Sequence, residues 1–138
     1  MNRKELQKLS RIRLKEAKIL FKNQCFEGSY YQAGYAVECA LKSCIAKQIK
    51  RYDFPDKKFI NDSYVHDIEK LISVSGLKPQ HDKELTSNTS FSLNWAIVKD
   101  WSEQHRYKLI VTKVHAKDMY SAITSRRNGV MVWLKKYW

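Results

Sequence analysis

The chain has 138 residues, and 26 Lys and Arg against 14 Asp and Glu give a formal net charge of 26 − 14 = +12. This length predicts one domain over residues 1–138, and 43% hydrophobic residues exclude intrinsic disorder because they can form a sizeable core. Four Gly and two Pro are too few for the turns of a many-stranded sandwich or barrel. We therefore expect an all-helical protein whose positive charge attracts polyanions, with nucleic acid as the first candidate.

Targeting and metal-binding signals are absent from the sequence. No apolar run is long enough to cross a bilayer, and Met1 to Glu5 lack the apolar stretch of a secretory signal. The cysteines (Cys25, Cys39 and Cys44) form no C-x-x-C pair, the four histidines have no metal-binding spacing, and no phosphate loop or hydrolase elbow is present. These observations predict a cytoplasmic protein with reduced, mostly buried thiols, no metal, no cofactor and no membrane partner.

The first predicted helix runs from about Lys4 to Phe26 and separates apolar from basic residues at the helical period. A surface that we call the basic face carries its cations, which are Lys4, Lys8, Arg11, Lys15, Lys18 and Lys22. Such a face is either an ordinary solvated surface or a track for phosphates. In the second interpretation Lys8, Arg11 and Lys15 are candidate RNA-binding residues.

The strongest helical pattern covers residues 30–50, after a break predicted at Glu27-Gly28-Ser29. One strip of this helix is made of small residues, which are Ser29, Ala36, Ala40 and Ser43, and would admit a neighbouring helix closely. Another strip is mixed and holds Tyr31, Tyr35, Glu38 and Lys42. Several packing strips on one helix predict that it is central in a bundle.

The rest of the chain gives weaker patterns. Residues 51–64 predict a polar loop, a short helix follows over about 66–73 with Gly76 as its stop, and Pro79 marks a break. Residues 81–90 are ambiguous, helix resumes through Phe91 and Trp101, and Leu109 to Val111 are a candidate extended segment. The last helix is predicted from His115 to Trp138, bent at Gly129. Together these elements predict an up-and-down antiparallel bundle of four or five helices.

Two arginines interrupt apolar faces, Arg13 in the first helix and Arg127 in the last. A guanidinium in such a place must be paired or must line a wet cleft, because an unpaired buried charge is costly. Glu38 is the acid best placed to pair with these arginines. The two arginines, Glu38 and Lys42 therefore form a predicted buried polar network. The network is interpreted as structural within the bundle or at a dimer seam, with a catalytic use as the alternative.

Aromatic residues alternate with cations over residues 101–108 and 133–138. Clusters of this kind can stack bases and hold phosphates, and they are equally able to anchor a protein interface. Arg106 and Tyr107 are the candidate RNA-binding residues of the first cluster.

A longer pattern covers nearly the whole chain. From Gly28 to Lys42 an A-x-Y element is followed by A-x-E-x-A-L-K, a His opens the predicted third helix at His66, and W-x-x-x-x-R-Y runs from Trp101 to Tyr107. With the aromatic-ended last helix, this combination resembles the HEPN (higher eukaryotes and prokaryotes nucleotide-binding) domain family. The residues that match its helix motif are Ala33, Tyr35, Ala36, Glu38, Ala40, Leu41 and Lys42.

The resemblance implies a helical bundle, usually a homodimer, that binds nucleotides or RNA and often works beside a minimal nucleotidyltransferase. Many HEPN proteins are RNases of toxin-antitoxin or defence systems, and the active ones use an R-x(4-6)-H motif. None of the seven arginines here has a His at that spacing, so the usual imidazole acid and base are missing.

Three functional hypotheses follow. The first is a non-catalytic or regulatory HEPN-like protein that binds RNA or a nucleotide. The second is a metal-independent RNase that pairs Arg106 or Arg127 with His105 or His115. The third is a structural helical adaptor whose charge is incidental.

Overall fold

The computed structural model describes residues 1–49 and 53–138, and all regular structure within them is helical. The eight α-helices are α1 (Arg3–Lys22), α2 (Phe26–Gln48), α3 (Lys57–Ser63), α4 (Ile68–Val74), α5 (Lys78–Ser87), α6 (Thr89–Val98), α7 (Lys113–Thr124) and α8 (Val130–Leu134). A 3₁₀ helix over Glu103–Tyr107 joins α6 to α7. The all-α bundle is confirmed, and these residues hold more helices than the predicted four or five because several segments are divided by caps.

Helices α1 and α2 form a close pair. Asn2 caps α1 by accepting a hydrogen bond from the Glu5 amide at 3.0 Å, and the chain then reverses at Gln24, where φ is 61°. The break predicted at Gly28 is misplaced, because α2 begins at Phe26 and includes Gly28. Ser29 instead donates a buried hydrogen bond to the Ala17 carbonyl at 2.8 Å, which holds the two helices together.

The central position predicted for α2 is confirmed. It packs against α1, α4, α7, α8 and the 3₁₀ helix, and Ala33, Val37 and Leu41 have no exposed surface. Its small residues admit α1 as predicted, since Ser10 donates to the Ala36 carbonyl at 2.7 Å. Residue 50 of this predicted helix lies outside the described residues.

The middle of the chain contains more helix than predicted. Residues 51 and 52 of the predicted polar loop lie outside the described residues, and most of the remainder forms α3, capped by Asp56. Gly76, with φ of 73°, ends α4 as predicted. Pro79 lies in the first turn of α5 and breaks nothing, because the amide that proline lacks has no helical partner there.

Asn88 resolves the ambiguous segment by separating α5 from α6. Its side chain accepts a hydrogen bond from the Phe91 amide at 3.0 Å, which starts α6. The same side chain donates to Asn128 Oδ1 at 2.9 Å, and Asn94 donates to the Asn128 carbonyl at 2.9 Å. Asn88 is therefore both a helix cap and a link to the turn between α7 and α8.

The prediction of one bent helix from His115 to Trp138 is wrong. Helix α7 ends at Thr124, and Gly129 lies just before α8 in a turn where an added Cβ would come within 2.4 Å of the Ser125 carbonyl oxygen. A continuous helix is thus replaced by a tight turn that needs glycine. The candidate extended segment forms no strand, and Leu109 and Ile110 are 90% and 82% exposed.

Candidate nucleic-acid interface

The basic face of α1 is open to solvent along its whole length. All of its cations are exposed, and among the described residues none pairs with a carboxylate. The two acids of α1 are engaged elsewhere, since Glu5 completes the N-terminal cap and Glu16 binds Arg13 at 2.6 Å. The basic face is therefore a row of positive charges without internal neutralisation.

Trp138 lies beside the basic face. The Arg11 guanidinium carbon is 4.8 Å from the centre of its ring, and Lys135 Nζ is 5.7 Å from that centre. Arg3 donates a hydrogen bond to the Trp138 main-chain carbonyl. The packing thus brings an indole and three cations together from α1 and from the segment after Leu134, a combination able to contact both bases and phosphates.

A second group of charges, which we call the Glu38 cluster, consists of Glu38, Lys42, His66 and Glu103. Glu38 is 2% exposed, and its Oε1 accepts a hydrogen bond from Lys42 Nζ at 2.8 Å. His66 Nδ1 is 2.9 Å from the same oxygen, and His66 Nε2 is 3.3 Å from Glu103 Oε2. The imidazole thus lies between two carboxylates, and the cluster ties α2 to the 3₁₀ helix.

Aromatic side chains close the face of α2 next to this cluster. Trp101 is 2% exposed and packs over Gly34, where an added Cβ would lie 2.1 Å from the indole. The Tyr31 ring lies 5.7 Å from Trp101 and 6.1 Å from Tyr35, measured between ring centres. The pKa of Tyr35 is raised, mainly because its side chain is partly buried. Trp101 thus fills the interior of this face, and the partly buried rings of Tyr31 and Tyr35 lie at its edge.

The two histidines proposed as catalytic come together around Tyr30. The His105 and His115 rings lie 4.8 Å and 5.2 Å from the Tyr30 ring centre. The pKa of His105 is lowered, mainly because the imidazole is partly buried, and the nearby Lys108 and His115 lower this pKa further. Arg106 follows His105 but is exposed, with its guanidinium 4.9 Å from the Tyr107 ring centre.

The predicted buried polar network is only partly correct. Glu38 and Lys42 are paired as expected, but Arg13 is 30% exposed at its side chain, bonds Glu16 and lies 5.7 Å from the Tyr35 ring centre. Arg127 is exposed in the turn before α8, so its place in the network is wrong. The periodic spacing of apolar residues wrongly placed Arg127 on an apolar face. The predicted last helix is interrupted after Thr124, so the residues that follow no longer continue the faces of α7.

Arg127 is also separated from both candidate histidines. His115 lies in the first turn of α7 and Arg127 follows the C-terminal end of that helix, whose 12 residues span roughly 18 Å. Within a single chain Arg127 therefore does not pair with His115, and Arg106 is the arginine that remains for an RNase site formed by one chain.

Two of the three cysteines follow the prediction. Burial raises the pKa of the Cys39 and Cys44 thiols to about 11, so both stay protonated and unreactive near neutral pH. Cys25 is exposed, which corrects the expectation for that residue.

Sequence reasoning did not find the contacts of His66 with Glu38 and Glu103, or the position of Trp138. His66 was noted only as part of the family resemblance, and Glu103 lies 65 residues after Glu38 (103 − 38). The spacing of Glu38 and Lys42 at one helical turn was the visible signal that these two side chains interact.

Over residues 1–49 and 53–138, no helix combines the length and apolar character needed to cross a membrane. In the same ranges, no three His, Cys, Asp or Glu side chains converge as a metal site would require. Comparisons of the chain with models of protein families, with curated proteins and with solved structures return no match.

Proposed function

We propose that this chain is a HEPN-like helical protein that binds RNA or a nucleotide without cleaving it. The observation that carries the proposal is the basic face of α1, whose exposed cations have no carboxylate partner among the described residues. Because these charges are not neutralised internally, phosphates that replace their counterions gain affinity from ion release. The resemblance of the Gly28 to Lys42 segment to HEPN proteins supports the same assignment.

The same resemblance supports a regulatory role within a toxin-antitoxin or defence module, and a cytoplasmic location is part of this proposal. The partners proposed there are a second copy of the chain and a minimal nucleotidyltransferase. The exposed apolar side chains of Leu109, Ile110 and Val114 support a protein contact of this kind, since they are 90%, 82% and 66% exposed.

A salt series with a labelled RNA pool tests the proposal, with retention and fragment length followed together. We expect retention of intact RNA that falls steeply between about 50 and 200 mM salt. The combined variant Lys8→Glu, Arg11→Glu and Lys15→Glu should abolish retention while the thermal midpoint changes little, since these side chains are exposed.

The matched control is Lys83→Glu, Lys99→Glu and Lys117→Glu, which changes the net charge equally at exposed positions on other elements. It should reduce retention far less. Equal losses in the two variants would show that only net charge matters, and they would remove the basic face from the proposal.

The RNase hypothesis is the second candidate, and the observation that favours it is the convergence of His105 and His115 on Tyr30. Two imidazoles near one site can act as general acid and base. RNA fragments that disappear in the variant His105→Ala with His115→Ala would support it. Cleavage that persists in that variant would rule out this pair.

A further inference from the structure

Trp138 differs from the other three tryptophans in its exposure to solvent. Trp95, Trp101 and Trp133 are 3%, 2% and 4% exposed and belong to the core. Trp138 packs against the core on one side and is only partly buried. A ligand at the surface of the described residues therefore has access to the indole of Trp138 and to no other.

The surroundings of Trp138 are cationic and hold the ring in place. Arg11 and Lys135 lie 4.8 Å and 5.7 Å from the ring centre, and Arg3 binds its main-chain carbonyl. Among the described residues no carboxylate side chain lies within ion-pair distance of Arg11 or Lys135. These two exposed cations are thus free to meet phosphates, while Arg3 holds the main chain of Trp138.

We propose that Trp138, with Arg11 and Lys135, is a stacking site for an unpaired base of single-stranded RNA bound along the basic face. This inference rests on the proposed RNA binding and names the form of RNA that the site selects. A base can stack on the indole or on the guanidinium layered over it. In a duplex both faces of each base are covered by neighbouring bases, so an A-form helix cannot use the site except at its ends.

Arg11 belongs both to the stacking site and to the basic face. It belongs to the basic face, with Lys8 and Lys15 one turn to either side, and it also contacts the Trp138 ring. A strand whose phosphates follow α1 therefore passes within reach of the indole. Duplex RNA contacts only the basic face, whereas a single strand contacts the basic face and the indole of Trp138.

Tryptophan emission during titration with single-stranded and duplex RNA of the same sequence tests the inference without any substitution. Because the other three indoles are buried, quenching on binding reports Trp138. We expect quenching and tighter binding with the single strand, and little quenching with the duplex. Equal affinity for the two forms without quenching would overturn the inference and leave the proposed RNA binding intact.

Substitutions then locate the site. Trp138→Leu should weaken single-strand binding by roughly tenfold to a hundredfold, the usual value of one stacked base, and leave duplex binding unchanged. Trp138→Phe keeps an aromatic face and should retain most of the affinity while losing the quenching. Arg11→Gln with Lys135→Gln, at exposed positions, tests the same site if Trp138→Leu does not fold.

Tyr107→Leu is the matched control, because Tyr107 is 67% exposed and pairs with Arg106 in the other cluster of aromatic and basic residues. It should change single-strand affinity less than Trp138→Leu does. A larger loss with Tyr107→Leu would move the stacking site to that cluster and overturn the inference. Failure to retain any RNA at low salt would instead refute the proposed function itself.

Discussion

The basic face of α1 and the Glu38 cluster of α2 hold charged side chains in opposite situations. On α1 the cations project into solvent, and among the described residues they have no carboxylate partner. In the Glu38 cluster the carboxylate is 2% exposed, and its Oε1 lies 2.8 Å from Lys42 Nζ and 2.9 Å from His66 Nδ1. Its Oε2 is buried without a hydrogen-bond partner among the described residues. In the sequence the basic face and the pair of Glu38 and Lys42 are both charges at helical spacing, and only their surroundings distinguish them.

The contrast teaches where function and stability reside in this molecule. A buried charge with internal partners has already lost its hydration and been compensated, so removing one partner destabilises the fold. An exposed charge contributes little to stability but remains available to a ligand. We therefore expect substitutions on α2 to change the free energy of unfolding and substitutions on α1 to change RNA affinity.

Gly34→Ala should have the largest effect on stability. The added Cβ would lie 2.1 Å from the Trp101 indole, and expelling this ring from its site should cost about 3–5 kcal/mol, the usual value of a buried Trp. Gly28→Ala, in the same helix, is the control. There the nearest atom is the flexible tip of Leu20 at 3.2 Å, so we expect a change within about 1 kcal/mol.

Urea unfolding of both glycine variants measures the difference. A small effect of Gly34→Ala would show that Trp101 does not seal the α2 face. The contrast between the two regions would then be weaker than the structure indicates.

Glu38→Ala should have the next largest effect. It leaves Lys42 and His66 without their shared carboxylate, and we expect a loss of about 2–3 kcal/mol in the free energy of unfolding. Glu16→Ala, which breaks the half-exposed pair with Arg13, should cost under about 1 kcal/mol. Both variants should retain RNA as the unmodified chain does at temperatures where they are folded.

Loss of RNA retention by folded Glu38→Ala, with its stability unchanged, would contradict the contrast. It would show that the Glu38 cluster belongs to the RNA site and does not act mainly to stabilise the fold.

His81 is a buried titratable side chain, and we expect it to have the smallest effect on stability of the groups compared. His81 is 4% exposed and is surrounded by Phe91, Trp95 and Trp133. Burial is the main cause that lowers its pKa below 6.5, while Asp82 raises the pKa and Lys78 lowers it. The unfolded chain therefore binds the proton more readily, and stability is lost as pH falls from about 6.5 toward the lower pKa of the folded chain.

Thermal unfolding between about pH 7.5 and pH 5 measures this contribution, because the loss begins near the ordinary pKa of histidine and grows below it. We expect the midpoint to fall toward acid by a few degrees, and His81→Leu to reduce that fall. His115→Leu, at an exposed histidine, is the control and should reduce the fall less than His81→Leu does. An identical pH dependence in His81→Leu and the unmodified chain would show that His81 is not the group responsible.

Much of the architecture was predictable because it depends on local spacing. The all-helical class, the basic face and the central position of α2 all follow from residues three or four apart. Helix ends were less predictable, since Asn88, Asp56 and Gly129 act through single caps or clashes that depend on the path of the chain. The HEPN resemblance and the functions it implies stay predictions.

By itself the sequence determined that the chain is helical, that one side of α1 is basic, and that α2 has several packing faces. Only the tertiary structure decided which charges meet, because His66 reaches Glu38, Glu103 reaches His66, and Arg11 reaches Trp138 through the packing of distant segments. It also moved Arg127 to the surface and left Arg13 with Glu16. Helical periodicity specifies a direction around an axis, whereas a contact also requires the position of the neighbouring helix.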